Sequence, residues 1–173
     1  MFVAGIISLF TMAAASAETV PNSMTLTIGG GNYYFASKRQ LDNAAFPFGA
    51  IGYNFTKQWG VELLGAFFNT DSHLPADNGK KVNGTLFVLD GMYHFSNLYS
   101  LDPYVMLGPG VLGLSPNGND ANNQANLNGG VGLQYFFNKA VSLRLEARDF
   151  YTIIGGKNDY YLDAAVSVFI PFC

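Results

Sequence analysis

From Val141 to Arg148 polar and apolar residues alternate without a break. A strand sends successive side chains to opposite faces. One face of this segment therefore carries Ser142, Arg144, Glu146 and Arg148, and the other Val141, Leu143, Leu145 and Ala147. A soluble sheet hides the apolar face. A sheet closed into a barrel inside a bilayer does the reverse, with lipid outside and polar groups within.

The same period of two divides the chain into eight predicted strands, near Met24–Ser37, Phe46–Phe55, Trp59–Phe68, Thr85–Phe95, Pro103–Leu114, Ala125–Phe137, Val141–Tyr151 and Tyr160–Phe172. Each suits a tilted strand crossing the hydrocarbon, which needs about 9–11 residues. No segment shows sustained helical periodicity. The connections after strands one, three, five and seven read as long and polar: Lys38–Ala45, Asn69–Gly84, Ser115–Gln124 and Thr152–Asp159. Those after strands two and six are tight, and Ser96–Asp102 is intermediate. Alternating long and short connections mark an outer-membrane barrel, with long loops outside the cell and short turns in the periplasm. That pattern places both termini in the periplasm. Pro47, Pro103 and Pro109 predict bulges or late strand starts in strands two and five, because proline cannot donate to the ladder.

Composition moves the balance toward lipid. Charged residues are 12% of the 173, aromatic residues 15%, hydrophobic residues 49%, and there are 20 glycines. A soluble enzyme carries about twice that share of charge. The net charge is -3, and the nine Lys and Arg are scattered, so nothing points to nucleic acid. Phe2–Ala15 is apolar, and Ala15-Ser16-Ala17 has the small-x-small form of a signal-peptide cleavage site. The expected division is a signal over 1–17 and a barrel over 18–173. No Lys or Arg precedes the apolar stretch, as if its basic leader were truncated by a start set too far downstream. Cys173, the single cysteine, cannot form an internal disulfide.

The strand faces then assign the charges. Glu62, Asp90, Arg144, Glu146, Arg148 and Asp163 all fall on the faces expected inside, with Gln134 on strand six. An outward Arg near the midplane would cost about 2–4 kcal/mol. Eight strands leave an interior that side chains can fill. The expectation is a salt-bridged polar core rather than an open pore, able to conduct only if a pair exchanges partners. Tyr53, Phe55, Tyr93, Phe95, Tyr135 and Phe137 cluster at the periplasmic ends, as an interfacial girdle would.

On these residues the chain resembles the transmembrane domain of the outer membrane protein A family. Arg144-Leu145-Glu146 resembles that family's Arg-Leu-Glu on strand seven, Glu62 its interior Glu, and Gly129-Gly130-Val131 leading to Tyr135 its strand six. The resemblance covers nearly the whole mature chain and implies an all-β, eight-stranded, antiparallel up-and-down transmembrane barrel. It implies a structural or surface-interaction protein of the bacterial outer membrane; a narrow gated pore is the additional role that partner exchange in the ion-pair core would allow, and the resemblance does not carry it. Its partners would be outer-membrane lipids and lipopolysaccharide, the barrel-assembly machinery, and host or surface ligands of the loops. Asp90 stands where the family often has a base, and Gln134 where it has an acid. Phe172 resembles the family's terminal aromatic.

Two other functions compete. Tyr93-His94-Phe95-Ser96-Asn97 resembles the His-x-Ser-Asn motif of lipid A deacylases, and a His can activate a Ser nucleophile. Alternation turns His94 and Ser96 inward at the periplasmic end, away from that substrate, so no enzyme is expected. A soluble lipocalin-like barrel with an apolar ligand is the other. Asp71 and His73 read as a solvated loop rather than a metal site, and no cofactor is expected. Gly29-Gly30-Gly31 reads as a kink that lets strand one curve.

Overall fold

In the computed structural model of the chain, residues 19–72, 81–95, 99–116 and 122–171 are described. Eight strands follow one another: β1 Ser23–Tyr34, β2 Ala44–Asn54, β3 Trp59–Asp71, β4 Lys81–His94, β5 Leu101–Pro116, β6 Asn122–Phe136, β7 Val141–Thr152 and β8 Lys157–Pro171. Each pairs antiparallel with its sequence neighbours, and β1 pairs with β8 from Ser23↔Pro171 to Tyr34↔Tyr160, closing the barrel. Closure removes both sheet edges, which is what allows strands to stand in hydrocarbon. The predicted signal segment, His73, Ser96, Asn97, Phe172 and Cys173 lie outside the described residues.

The ends of the barrel differ. The turns after β2, β4 and β6 leave from the end that holds Ser23 and Pro171, here the turn end. Longer connections after β1 and β3 leave from the opposite, loop end. Several strands run further toward the loop end than the sequence predicts. β3 and β4 pair up to Asp71↔Lys81, and β7 and β8 up to Thr152↔Lys157, so the expected long loop over Thr152–Asp159 is a tight turn over 153–156. Gly155 and Gly156 take its positive φ values of 95° and 55°. The extensions escaped detection because their outward residues, such as Asn69, Asp71, Lys81 and Asn83, are polar and read as loop.

The expected bulges do not form. In every described ladder the register is constant from end to end. At Pro109 the β4–β5 ladder is interrupted instead, between Val88↔Gly110 and Gly91↔Leu107. At Pro47 the β2–β3 ladder starts one residue later, at Phe48↔Ala66. Proline is accommodated by a missing rung rather than by an extra residue.

Ile28, Ile51, Leu63, Phe67, Leu89, Leu107, Val131, Leu145 and Leu162 are exposed on the outside of the barrel. At the turn end this band finishes in a ring of aromatic contacts. Tyr53 meets Phe55 at 5.2 Å, Trp59 meets Tyr93 at 4.9 Å, and Tyr135 meets Phe137 at 5.3 Å. An apolar exterior with no covering layer has its counterpart in lipid, not water.

The sequence predicts a polar core throughout, but the interior is polar only in part. Its loop-end half is an aromatic and aliphatic core of Tyr33, Phe46, Phe68, Leu86, Leu112 and Phe150, among others. Tyr33 is completely buried, with ring centres 4.7 Å from Phe35 and 5.3 Å from Phe46. Along this half the inward face is apolar and the outward face turns polar toward the loop end, as at Asn69, Asp71, Lys81 and Asn83, so the polar-inside pattern of the lower half does not carry through.

Candidate functional site: the buried ion-pair layer

Beneath the aromatic core lies a layer of charge. Strands β3, β4 and β7 bring Glu62, Asp90, Arg144, Glu146 and Arg148 together, all buried. Glu62 and Asp90 are direct register partners on neighbouring strands, while Arg144, Glu146 and Arg148 share the inward face of β7. Arg144 spans the barrel: its Nη1 donates to Glu62 Oε2 at 2.5 Å and its Nη2 to Glu62 Oε1 at 3.1 Å. Its Nε donates to Glu146 Oε1 at 2.9 Å, and Nη2 also reaches that oxygen. Arg148 donates to Glu146 Oε2 from Nε at 2.9 Å and Nη2 at 2.7 Å, and from Nη1 to Asp90 Oδ2. Guanidinium suits this task because its planar fork can hold two carboxylates at once.

Neutral groups complete the layer. Thr27 Oγ1 accepts from Arg144 Nη1 at 3.1 Å and shares a 2.8 Å hydrogen bond with Ser167 Oγ. Asn128 Nδ2 donates to Asp90 Oδ1 at 2.8 Å. The Tyr104 hydroxyl donates to Glu146 Oε1 and accepts from Arg144 Nε at 3.0 Å, and its ring centre lies 5.5 Å from the guanidinium carbon. Gly132 makes room for that ring: a Cβ there would lie 2.2 Å from Tyr104 Cζ.

The remaining two expected members stand apart. Asp163 is buried and is the register partner of Glu146, yet neither of its oxygens accepts a hydrogen bond. Gln134 donates instead to Ser142 Oγ at 2.6 Å, on the turn-end side of the layer. Three carboxylates thus share two guanidiniums, with a fourth carboxylate beside them.

Two further polar clusters close the ends. At the loop end Arg39, from a short 3-10 turn over Ser37–Arg39, reaches back inside. It donates to Asp159 Oδ1 at 2.9 Å, Thr152 Oγ1 at 2.6 Å and Gln124 Oε1 at 2.7 Å. At the turn end His94 Nδ1 lies 2.9 Å from Asp102 Oδ2, which also accepts from Thr19 Oγ1 at 2.6 Å. His94 thus faces the interior, its ring 5.2 Å from Tyr104. Sequence reasoning missed Arg39 because it sits in a loop, where alternation carries no information. Asp102 closes the predicted link Ser96–Asp102 and so reads as loop, while alternation puts Tyr104 and Asn128 on inward faces without marking them as partners of the charges. Among the described residues no group of His, Cys, Asp and Glu is disposed to hold a metal ion, and Asp71 is the register partner of Lys81.

Closed strand order, an apolar outer band and buried ion pairs define an integral outer-membrane β-barrel, which overturns the soluble lipocalin-like alternative. The chain belongs to the outer membrane protein beta-barrel domain family, whose model matches residues 1–169. Over 135 residues it is 30% identical to outer membrane porin F of Pseudomonas aeruginosa, a match covering 73% of this chain and 39% of that protein. The crystal structure of the N-terminal barrel domain of OprF from the same organism superposes with a TM-score of 0.60 at 25% identity, covering 87% of this chain and 98% of that one. The outer membrane protein OprG of P. aeruginosa superposes with a TM-score of 0.67 at 13% identity, covering 90% and 100%.

Proposed function

We propose that the protein is a closed barrel scaffold of the outer membrane that presents its loop end to the cell exterior and keeps both termini in the periplasm. Residues 1–17 act as its export signal, and the barrel-assembly machinery inserts it. Lipopolysaccharide surrounds its outer half, and surface ligands meet its loops. The observation that carries this reading is the filled interior. The ion pair of Arg144 with Glu62 crosses from β7 to β3, backed by Glu146 on β7 itself, with the aromatic core above and the His94–Asp102 pair below.

A second reading, a narrow gated pore, draws on the carboxylate excess. Arg144 already holds two carboxylates, and Asp163 holds none of the cations. Planar-bilayer recording decides between them. The closed scaffold predicts no steady current for the wild type. Discrete openings in the wild type, altered by Arg144→Ala, would replace it with the pore.

A further inference from the structure

At the loop end the seam between β1 and β8 carries a groove of about 610 Å³ whose lining includes Tyr34, Lys38, Gly156, Lys157, Asn158 and Tyr160. We propose that it seats the phosphorylated headgroup of an outer-leaflet lipid. This rests on the orientation proposed above, with the loop end at the cell surface.

The distribution of cations is the first argument. Of the nine Lys and Arg, Arg39, Arg144 and Arg148 point inward onto carboxylates. Lys57 and Lys139 lie in turns at the other end, and Lys81 is the register partner of Asp71. Lys80 is outside the described residues. Lys38 and Lys157 remain, and both line this one groove, without an ion pair to any described residue. Two ammonium groups on flexible stems suit phosphate oxygens at a membrane surface.

The second argument is depth. Tyr34 and Tyr160 are register partners, both exposed on the outer face, and amphipathic rings of this kind sit at headgroup level. The lysines stand just above them. Below them on the same face come Asn32 with Leu162, then the small pair Gly30 and Ala164, then Ile28 with Val166, so the face passes from polar to wholly apolar within two rungs. The groove therefore lies at the border between headgroup and hydrocarbon levels, where the phosphate of a lipid sits. Asp149, the partner of Tyr160 on β7, lines the neighbouring depression with Gly129 and Ala147 rather than this groove.

The test uses the full chain refolded in zwitterionic micelles, titrated with diphosphorylated lipid A and followed by native mass spectrometry. The wild type should retain the lipid. Lys38→Glu with Lys157→Glu should weaken retention at least tenfold, while Lys57→Glu with Lys139→Glu at the turn end should leave it within twofold. Equal retention by the wild type and the Lys38/Lys157 variant overturns the proposal. Displacement by millimolar inorganic phosphate also overturns it, in favour of a soluble-anion site. Heat-modifiable gel migration checks folding. If the charge reversal does not fold, Lys38→Gln with Lys157→Gln is expected to lose most of the retention, and unchanged binding there sinks the idea equally. Protease access to the loops of intact cells reports the orientation separately. Binding with the loop end facing inward would keep a site for a phosphorylated headgroup but overturn both its outer-leaflet occupant and the scaffold's orientation.

Discussion

Arg144 and Asp163 lie in one buried layer with opposite circumstances, and they should respond oppositely to mutation. Removing Arg144 leaves Glu62 with only a 3.5 Å contact from Arg148, while Glu146 keeps the two donors of Arg148. Loss of one partner of a buried pair costs about 3–5 kcal/mol, because the abandoned charge stays desolvated. Arg144→Ala should lower stability by about that much in urea unfolding from lipid vesicles, read through the fluorescence of Trp59, the single tryptophan. Combining it with Glu62→Gln should recover part of the loss, since the two residues are directly coupled. Asp163 has no hydrogen-bond partner to lose. Asp163→Asn replaces an unbonded buried carboxyl group with an amide of the same shape and should leave stability unchanged or raise it by about 1 kcal/mol. A loss of several kcal/mol would show that Asp163 is bonded in the membrane. At this scale the five charges that meet were legible because β7 alternates so cleanly. The isolation of Asp163 was not, because alternation gives the face a residue occupies and not the neighbour it finds there.

At the scale of elements, the strands were legible wherever their two faces differ in polarity, and their ends were not. Asn83 and Lys81 continue β4 beyond the lipid band, where the outer face meets water and no contrast remains. The loop between β1 and β2 was hidden for a related reason. It reads as a free polar connection, yet Arg39 pins it to Asp159 and Thr152, and Ala36 N donates to Asp159 Oδ1 at 2.8 Å. Its far side is tied to β3, where Asp42 N donates to Asp71 O at 3.1 Å. Arg39→Ala should release the first of these tethers only. Limited proteolysis should then cut within 35–43 several times faster than in the wild type, while the folded gel band persists. Unchanged cleavage would mean that the Ala36–Asp159 bond and the β3 tether hold the loop without Arg39. Gly132→Ala tests a strand interior. Its methyl group must displace the Tyr104 ring from Arg144 and Glu146, so a loss of about 1–3 kcal/mol is expected from overpacking.

The whole molecule is an inversion of a soluble barrel, and a depth series on its exterior tests that inversion directly. Leu145 sits on the outer face of β7 between the inward Arg144 and Glu146, so it lies level with the ion-pair layer near the middle of the apolar band. Tyr135 sits on β6 in the aromatic ring at the turn end. An Arg facing lipid costs about 2–4 kcal/mol at the midplane and about 0–1 kcal/mol near the interface. Leu145→Arg should therefore destabilise the barrel in vesicles by about 2–4 kcal/mol. Tyr135→Arg should add only a small electrostatic term to the loss of its contact with Phe137. The gap should depend on the solvent around the barrel and not on its interior. In detergent micelles, where the shell is thinner and water reaches further, the difference between the two variants should shrink, whereas the Arg144→Ala deficit should persist. If both variants cost the same in vesicles, Leu145 does not face the hydrocarbon, and the division of the strands into a lipid face and a filled interior would have to be redrawn.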